Sequence, residues 1–369
     1  MSLQRIQKLQ TLARAEGFDC MAVMPGANIT YLTGLHFHLM ERPTLALIPV
    51  EGNNPALVLA VLEATKPAAG PYPIPWRLFT FADGADPAIS YHAAAQVLDL
   101  AGQRIGIETL AMRVKELRLL QTAAPGAHLA AADHIFDRLR MVKDAAEIAA
   151  TRRAVRITED ALHRTLDNFK VGLTEKQVAA ELLINLLQGG AENLPFEPIV
   201  LAGPNTALPH AMAGDRPVQR GELLLFDFGV TVAGYASDLT RTFAVGDLSE
   251  ELKRIYDLVL RANEAGRRAA GPGVSGQAVD RATRKVIVDG GYGESFTHRT
   301  GHGLGLSGHE PPYVVEDNTT PFEAGNLVTI EPGIYLPGRG GVRIEDDVLI
   351  TARGAESLTT FPRELTTIG

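Results

Sequence analysis

Cysteine is almost missing from this chain of 369 residues: Cys20 is the only one. A single thiol excludes an internal disulfide and any zinc site built mainly from cysteines, and it fits a reducing compartment. Positive charge is also short. Thirty-five Lys and Arg against 43 Asp and Glu leave a net charge of −8, which argues against nucleic acid as the main partner. The excess is too diffuse for an acidic tail. No apolar run is long enough to span a bilayer. The first twenty residues lack an unbroken apolar core and a small-residue cleavage site, so no signal peptide is read there and a cytoplasmic protein is expected. No serine sits in a nucleophile-elbow context, and Cys20 is far in sequence from any histidine cluster, which disfavours covalent catalysis. What remains is ordinary globular composition, 46% hydrophobic and 21% charged, over a length that suggests two domains.

Leu3, Ile6, Leu9 and Ala13 fall on one helical face that Gly17 stops. Short apolar runs at Cys20–Met24, Leu45–Pro49, Ala56–Ala60 and Ile105–Glu108 alternate with helical stretches at Ser90–Ala101 and Arg113–Gln121. That alternation predicts a small α/β domain. The composition shifts at Arg138–Lys143, which sets domains of 1–138 and 139–369. Beyond it, Asp144 with Glu147 and Thr174 with Gln177 form capping boxes. Ser249 and Ser275 open two more helices. Each helix pair precedes a hairpin, so the second domain reads as a duplicated helix-helix-hairpin unit.

In the first hairpin, Leu223-Leu224-Leu225-Phe226 is apolar at both parities, as in a strand covered on both faces, yet it ends on Asp227. A turn centred between Val232 and Ala233 sets Asp227 opposite Asp238, since paired positions in an antiparallel hairpin sum to a constant. In the second, a turn about Gly338 sets Glu331 opposite Glu345. Any one of these acids alone reads equally well as a solvated carboxylate. Two facing pairs at matching places in a duplicated pattern do not. Buried carboxylates that face each other repel unless a cation or a shared proton lies between them, and four negative charges are neutralised by two divalent cations. Hard oxygen donors with few nitrogens suit Mn, Co, Zn or Fe in a two-metal site.

Three histidines, His298, His302 and His309, fall within twelve residues among glycines that let backbone approach a ligand closely. His302 is the expected fifth ligand. A nucleotide loop is a poor reading of the same glycines, because no helix follows and Pro311-Pro312 blocks one. His210, in the loop 203–210, is placed to reach a substrate rather than a metal.

The motifs Phe226-Asp227-Phe228-Gly229, Ser237-Asp238-Leu239-Thr240-Arg241-Thr242, Gly301-His302-Gly303-Leu304-Gly305-Leu306, Glu331-Pro332-Gly333-Ile334-Tyr335 and Val342-Arg343-Ile344-Glu345-Asp346, in that order, resemble the pita-bread metallopeptidases, and within them the Xaa-Pro dipeptidase (prolidase) and Xaa-Pro aminopeptidase group. The likeness extends over the chain, including Asn28-Ile29-Thr30-Tyr31-Leu32-Thr33-Gly34 of a creatinase-like N-terminal domain. It implies an α+β protein with a curved antiparallel sheet under helices. It implies metal ligands Asp227, Asp238, His302, Glu331 and Glu345, with Asp238 and Glu345 bridging, and supporting roles for His210, His298, His309 and Arg343. It implies hydrolysis of short peptides before proline, with Glu331 as the proton carrier, in a homodimer. Where many relatives carry an acidic and then a β-branched residue, this chain has Ser307-Gly308, a change at the pocket rim. Three other readings are a methionine aminopeptidase, which the extra N-terminal domain opposes; a metal-free creatinase-type hydrolase, which five intact ligand positions oppose; and a non-catalytic binding module, which has less need of those residues.

Overall fold

Ile6, Leu9 and Ala13 recur at helical spacing. In the computed structural model, which describes residues 2–52 and 54–369, they are the buried face of helix α1 (Ser2–Ala15), while Leu3 at its start is exposed. Gly17, at φ 73°, takes the left-handed conformation that turns the chain out of the helix. Strand β1 (Cys20–Val23) follows and is buried throughout. Next come α2 (Ala27–Thr33), β2 (Leu45–Pro49), β3 (Ala56–Ala60), α3 (Lys66–Ala69), β4 (Arg77–Phe81), α4 (Ala88–Val97), β5 (Arg104–Ile107), α5 (Val114–Ala123), β6 (His128–Ala131) and α6 (Asp133–Arg140). Six strands form one mixed sheet in the order β4-β3-β2-β1-β5-β6, antiparallel at β1–β2 and β2–β3 and parallel elsewhere. Its core is small and aliphatic, with Ala22, Leu47, Val58 and Ile105 on the sheet and Tyr91, Ala94 and Leu120 from α4 and α5.

The chain divides after Arg140 into two compact units, because α6 runs unbroken through 138–139. The second unit opens with α7 (Ala145–Asn168), where Asp144 accepts from the backbone of Ala146 and Glu147 while Glu147 returns a bond to the cap. A reciprocal cap of this kind is worth about 1 kcal/mol. Thr174 and Gln177 do the same for α8 (Glu175–Gln188). Then come β7 (Ile199–Ala202), β8 (Glu222–Phe228), β9 (Thr231–Val232), β10 (Tyr235–Ala236) and β11 (Leu239–Val245). Ser249 caps α9 (Glu250–Ala269) and Ser275 caps α10 (Gly276–Asp289). The second set of strands is β12 (Gly301–Gly303), β13 (Glu310–Val314), β14 (Leu327–Ile330), β15 (Gly333–Leu336), β16 (Gly340–Arg343), β17 (Asp346–Thr351) and β18 (Gly354–Ser357), with β19 (Thr367–Ile368) last. No helix among the described residues is long and apolar enough to cross a membrane.

The strands of each half carry their helices on one face. Leu224, Phe226 and Phe228 of β8 pack with Leu239 and Phe243 of β11 against Leu162, Val178 and Leu182 of α7 and α8. Val328, Ile330, Val348 and Ile350 of β14 and β17 pack against Val279 of α10. Strands alternate faces residue by residue, so the remaining parity, Asp227 and Thr240 in one half and Thr329 and Asp347 in the other, looks away from those helices. The halves meet where the Glu345 amide donates to the Thr240 carbonyl at 3.1 Å and the Thr242 hydroxyl donates to the Arg343 carbonyl at 2.9 Å.

The first hairpin departs from the expected register. Its tip is a two-residue turn in which Ala233 (φ 51°) and Gly234 (φ 79°) are both left-handed, and such a loop centres on its own midpoint. Asp227 therefore pairs with Thr240, not with Asp238. The offset is two residues, which keeps Asp238 on the same face as Asp227. The second hairpin has the expected register: Gly333 pairs with Arg343 and Ile330 with Asp346, so Glu331 and Glu345 stand opposite each other between two paired stretches.

Candidate metal centre

The inner faces of the two hairpins line one cavity of about 550 Å³. Asp227, Asp238, His210, His298, His302, His309, Glu331, Arg343 and Glu345 all border it, with Pro195, Phe196, Ile199, Pro209 and Met212 as an apolar wall. Asp227 is the last residue but one of β8, Asp238 precedes β11, and Glu331 and Glu345 occupy the break between the paired strands. His302 comes from β12, where glycines on either side are needed for packing. A Cβ on Gly301 would overlap the Thr329 carbonyl, and one on Gly303 would overlap the Glu310 carbonyl. The His302 amide donates to the Thr329 hydroxyl at 3.1 Å, which ties it to the second hairpin.

Three overlapping donor groups result, each with its atoms within 4.8 Å of one another: Asp227, Asp238 and Glu345; His302, Glu331 and Glu345; and Asp238, His302 and His309. Asp238, His302 and Glu345 each belong to two groups. His302 Nε2 lies 3.4 Å from Glu331 and 3.8 Å from Asp238, while its Nδ1 is bonded to the Gly303 carbonyl at 3.0 Å. That second bond directs Nε2 to the carboxylates. Of the four acids only Asp227 is paired with an arginine, Arg343. Glu345 accepts from the Thr240 hydroxyl at 2.6 Å, and Asp238 Oδ1 is buried with no hydrogen-bond partner.

Burial, then the neighbouring carboxylates Glu345 and Asp227, raises Asp238 well above the ordinary carboxylate range. Burial with Glu331 and Asp227 does the same to Glu345. Burial, offset in part by Arg343, pushes Glu331 up to about 8. His302 is lowered to about 3 by burial and by His309, so it is neutral. Two like charges about 4 Å apart repel by about 4 kcal/mol at an effective dielectric of about 20. A few such pairs equal the roughly 5–15 kcal/mol that holds a domain folded. The four acids can be ionised together only with cations among them, and the orphaned Asp238 oxygen is the atom a cation would satisfy. The donor set, four carboxylates and one imidazole, fits divalent ions.

Residues 149–352 match the family described as Metallopeptidase family M24, and residues 5–142 match the Creatinase/Prolidase N-terminal domain. A protein named probable dipeptidase PepE from Mycobacterium bovis is 37% identical over 354 residues, covering 95% of this chain and 92% of that relative. This chain belongs to metallopeptidase family M24. The crystal structure of a prolidase from Thermococcus sibiricus is similar with a TM-score of 0.94 at 33% identity, over 100% of this chain and 99% of that one. A Xaa-Pro dipeptidase from Bacillus anthracis is similar with a TM-score of 0.91 at 29% identity, over 100% of both chains.

The residues expected to support the acid cluster fall into two sets. His298 has both ring nitrogens engaged, Nδ1 with the Arg299 carbonyl at 2.7 Å and Nε2 with the Tyr335 hydroxyl at 2.8 Å. Burial and Arg343 lower it to about 4. Arg343 donates to Asp227, to Thr240 Oγ1 at 3.1 Å and to the Tyr335 hydroxyl at 2.8 Å. Arg343 thus touches Asp227 directly, and His298 is tied to Arg343 only through the Tyr335 hydroxyl. His309 and His210 are exposed at the cavity. The His309 ring lies over that of His302, centroids 3.8 Å apart. The sequence reading assigned no role to Tyr335, Thr240 or Asp347. Tyr335 joins His298 to Arg343, and Thr240 joins Arg343 to Glu345. Asp347 accepts from the Asp238 amide at 3.1 Å. Tyr335 and Thr240 lie inside the quoted motifs, and Asp347 directly follows one. Only the folded register shows what they touch.

Proposed function

We propose that this M24 protein hydrolyses the peptide bond preceding proline in short peptides, with two divalent cations held by Asp227, Asp238, His302, Glu331 and Glu345. The observation that carries the reading is that two three-donor groups, Asp227 with Asp238 and Glu345 and His302 with Glu331 and Glu345, overlap at Glu345, which a single ion would not need. Bound there, the cations supply Lewis acidity toward the scissile carbonyl and make water acidic enough to ionise near neutral pH.

The chain's own residues do the rest. Both Glu331 and Asp238 border the cavity, and the Glu331 side chain is the more accessible of the two, 15% exposed against 5%. It takes the proton from water and hands it to the departing proline nitrogen. His309 and His210 are exposed at the cavity and hydrogen-bond the substrate carbonyl as negative charge develops on its oxygen. Pro195, Phe196, Ile199, Pro209 and Met212 offer an apolar wall for a pyrrolidine ring. The names of the similar solved proteins, a prolidase and a Xaa-Pro dipeptidase, support the same substrate class.

The test is a panel of Xaa-Pro dipeptides, Xaa-Pro-Xaa tripeptides and methionyl peptides, with Mn, Co, Zn and Fe measured on the same sample. Cleavage of the proline peptides with two equivalents of metal is expected. Methionyl cleavage alone, or a metal-free protein that stays inactive after Mn or Co loading, would overturn the reading. Light scattering on that preparation tests the homodimer that the resemblance implies.

A further inference from the structure

Lys143 and Glu310 form an ion pair that no step above uses. Nζ and Oε1 are 2.6 Å apart, and the two side chains are 1% and 2% exposed. Burying both charges is costly, and pairs of this kind are often no more stable than apolar residues of the same volume. Its position suggests what it is for. Glu310 pairs across the ladder with Gly303, and residues 304–309 make a tight excursion between them. The second carboxylate oxygen of Glu310 accepts from the Ser307 amide at 3.3 Å, inside that excursion. A Cβ on Gly305 would meet the Glu310 carboxylate and the Lys143 stem, so the turn lies directly on the pair. Lys143 is fixed in turn by its own amide, which donates to the Gly325 carbonyl at 2.8 Å. His309 is the residue before Glu310 and borders the cavity from the other side.

We propose that Lys143 and Glu310 are a positioning pair: they clamp the 304–309 turn from beneath so that the His309 ring stays over His302 and faces the substrate. The kinetic part rests on the proposed Xaa-Pro hydrolysis; the conformational part does not.

The test compares wild type, Glu310→Gln and the double variant Lys143→Met/Glu310→Leu, all full length and metal-loaded. Glu310→Gln strands a buried ammonium and lowers the Tm. The double variant removes both charges at similar volume and recovers most of that Tm. Amide hydrogen exchange in 304–309 is expected to stay about tenfold or more faster than wild type in the double variant, because the Glu310 carboxylate no longer accepts from the Ser307 amide. Turnover of Xaa-Pro substrate falls about tenfold with KM little changed, the size seen when an outer-shell support is removed. Wild-type exchange across 304–309 in a folded double variant overturns the proposal, whatever its turnover. If the double variant does not fold, the same exchange measurement on Glu310→Gln decides it. A wild type inactive on every proline peptide defeats the functional reading and leaves the exchange result standing.

Discussion

Glu345 and Asp346 are neighbours in sequence, and both are buried, but they sit in opposite electrostatic settings. Glu345 faces the cavity among other acids. Burial and those neighbours hold it well above the ordinary carboxylate range. Asp346 points the other way. Burial alone would raise it, but Arg241 at 2.8 Å, Arg363 at 2.7 Å, Arg267 at 3.4 Å and the Thr359 hydroxyl hold it well below that range. One face of the strand gathers acids that can ionise together only with added cations, and the other is fully compensated by arginines. Burial by itself therefore says little about a carboxylate's role. The count of cations and donors around it separates a site from a brace.

Five experiments break or sharpen that contrast. The largest effect belongs to the uncompensated face. Glu345→Gln is expected to lower kcat roughly a thousandfold, about 4 kcal/mol of transition-state stabilisation, and to cost bound metal. Its stability in chelator should equal or exceed wild type, because one buried like charge is gone. Chelator should abolish wild-type activity, and Mn, Co or Zn should restore it. Turnover that survives with metal shown to be absent would support the creatinase-type alternative.

Asp346→Asn gives the reverse pattern. Removing one partner of a buried ion pair costs about 3–5 kcal/mol, read by urea denaturation, while the folded fraction keeps its metal. An Asp346→Asn protein of full stability but without metal would erase the distinction.

A pH scan of stability separates the two faces without mutation. Glu331, near 8, and the raised Asp238, Glu345 and Asp347 hold protons in the folded chain that the unfolded chain has released. Stability then falls as pH rises past the ordinary carboxylate range and through 8. His302 and His298, lowered to about 3 and about 4, act in the opposite sense, raising stability with pH up to the ordinary histidine value. The carboxylates thus act alone between about pH 6.5 and 8. Asp346, lowered, contributes stability that is lost only as pH falls below the usual aspartate range. Glu108, raised to about 7 by burial in the first compact unit, adds a fall that metal does not cancel, so the Tm should drop more steeply from pH 6.5 to 8 in chelator than with metal present. A level Tm in chelator would mean the acids are not packed as described.

The smallest effect lies at the rim. A Cβ on Gly308 would sit in ordinary contact with Pro195, at 3.7 Å, and the residue is not at positive φ. Gly308→Val should fold normally and change kcat/KM among Xaa-Pro peptides by about threefold, roughly 0.6 kcal/mol, with metal content unchanged. A large loss of metal would show that the rim supports the ligands.

Much of this was legible in sequence where the cause is local. The caps at Asp144, Thr174, Ser249 and Ser275 are short-range hydrogen-bond patterns. The second hairpin declares its register through Gly338, at φ 76°, and an uninterrupted run on each side. The first hairpin was misread by two residues because Ala233 gives no sign in sequence that it takes a left-handed conformation. The even size of that error left the site facing the same way. The bracing contacts were not legible. Tyr335 to His298, Thr240 to Glu345 and Lys143 to Glu310 link positions 37, 105 and 167 apart, and no spacing rule reaches that far.

The two-residue tip at Ala233-Gly234 constrains how this chain can change length over evolution. A pleated ribbon repeats every second residue. Losses or gains matched between its two arms move the tip and leave Asp227 and Asp238 looking inward. Deleting one residue from the returning arm alone would rotate Asp238 toward the helices and empty the pocket of a carboxylate, however well the shortened ribbon still folded. Homologous chains should therefore vary here by paired insertions and deletions, an expectation that an alignment of many such chains can check.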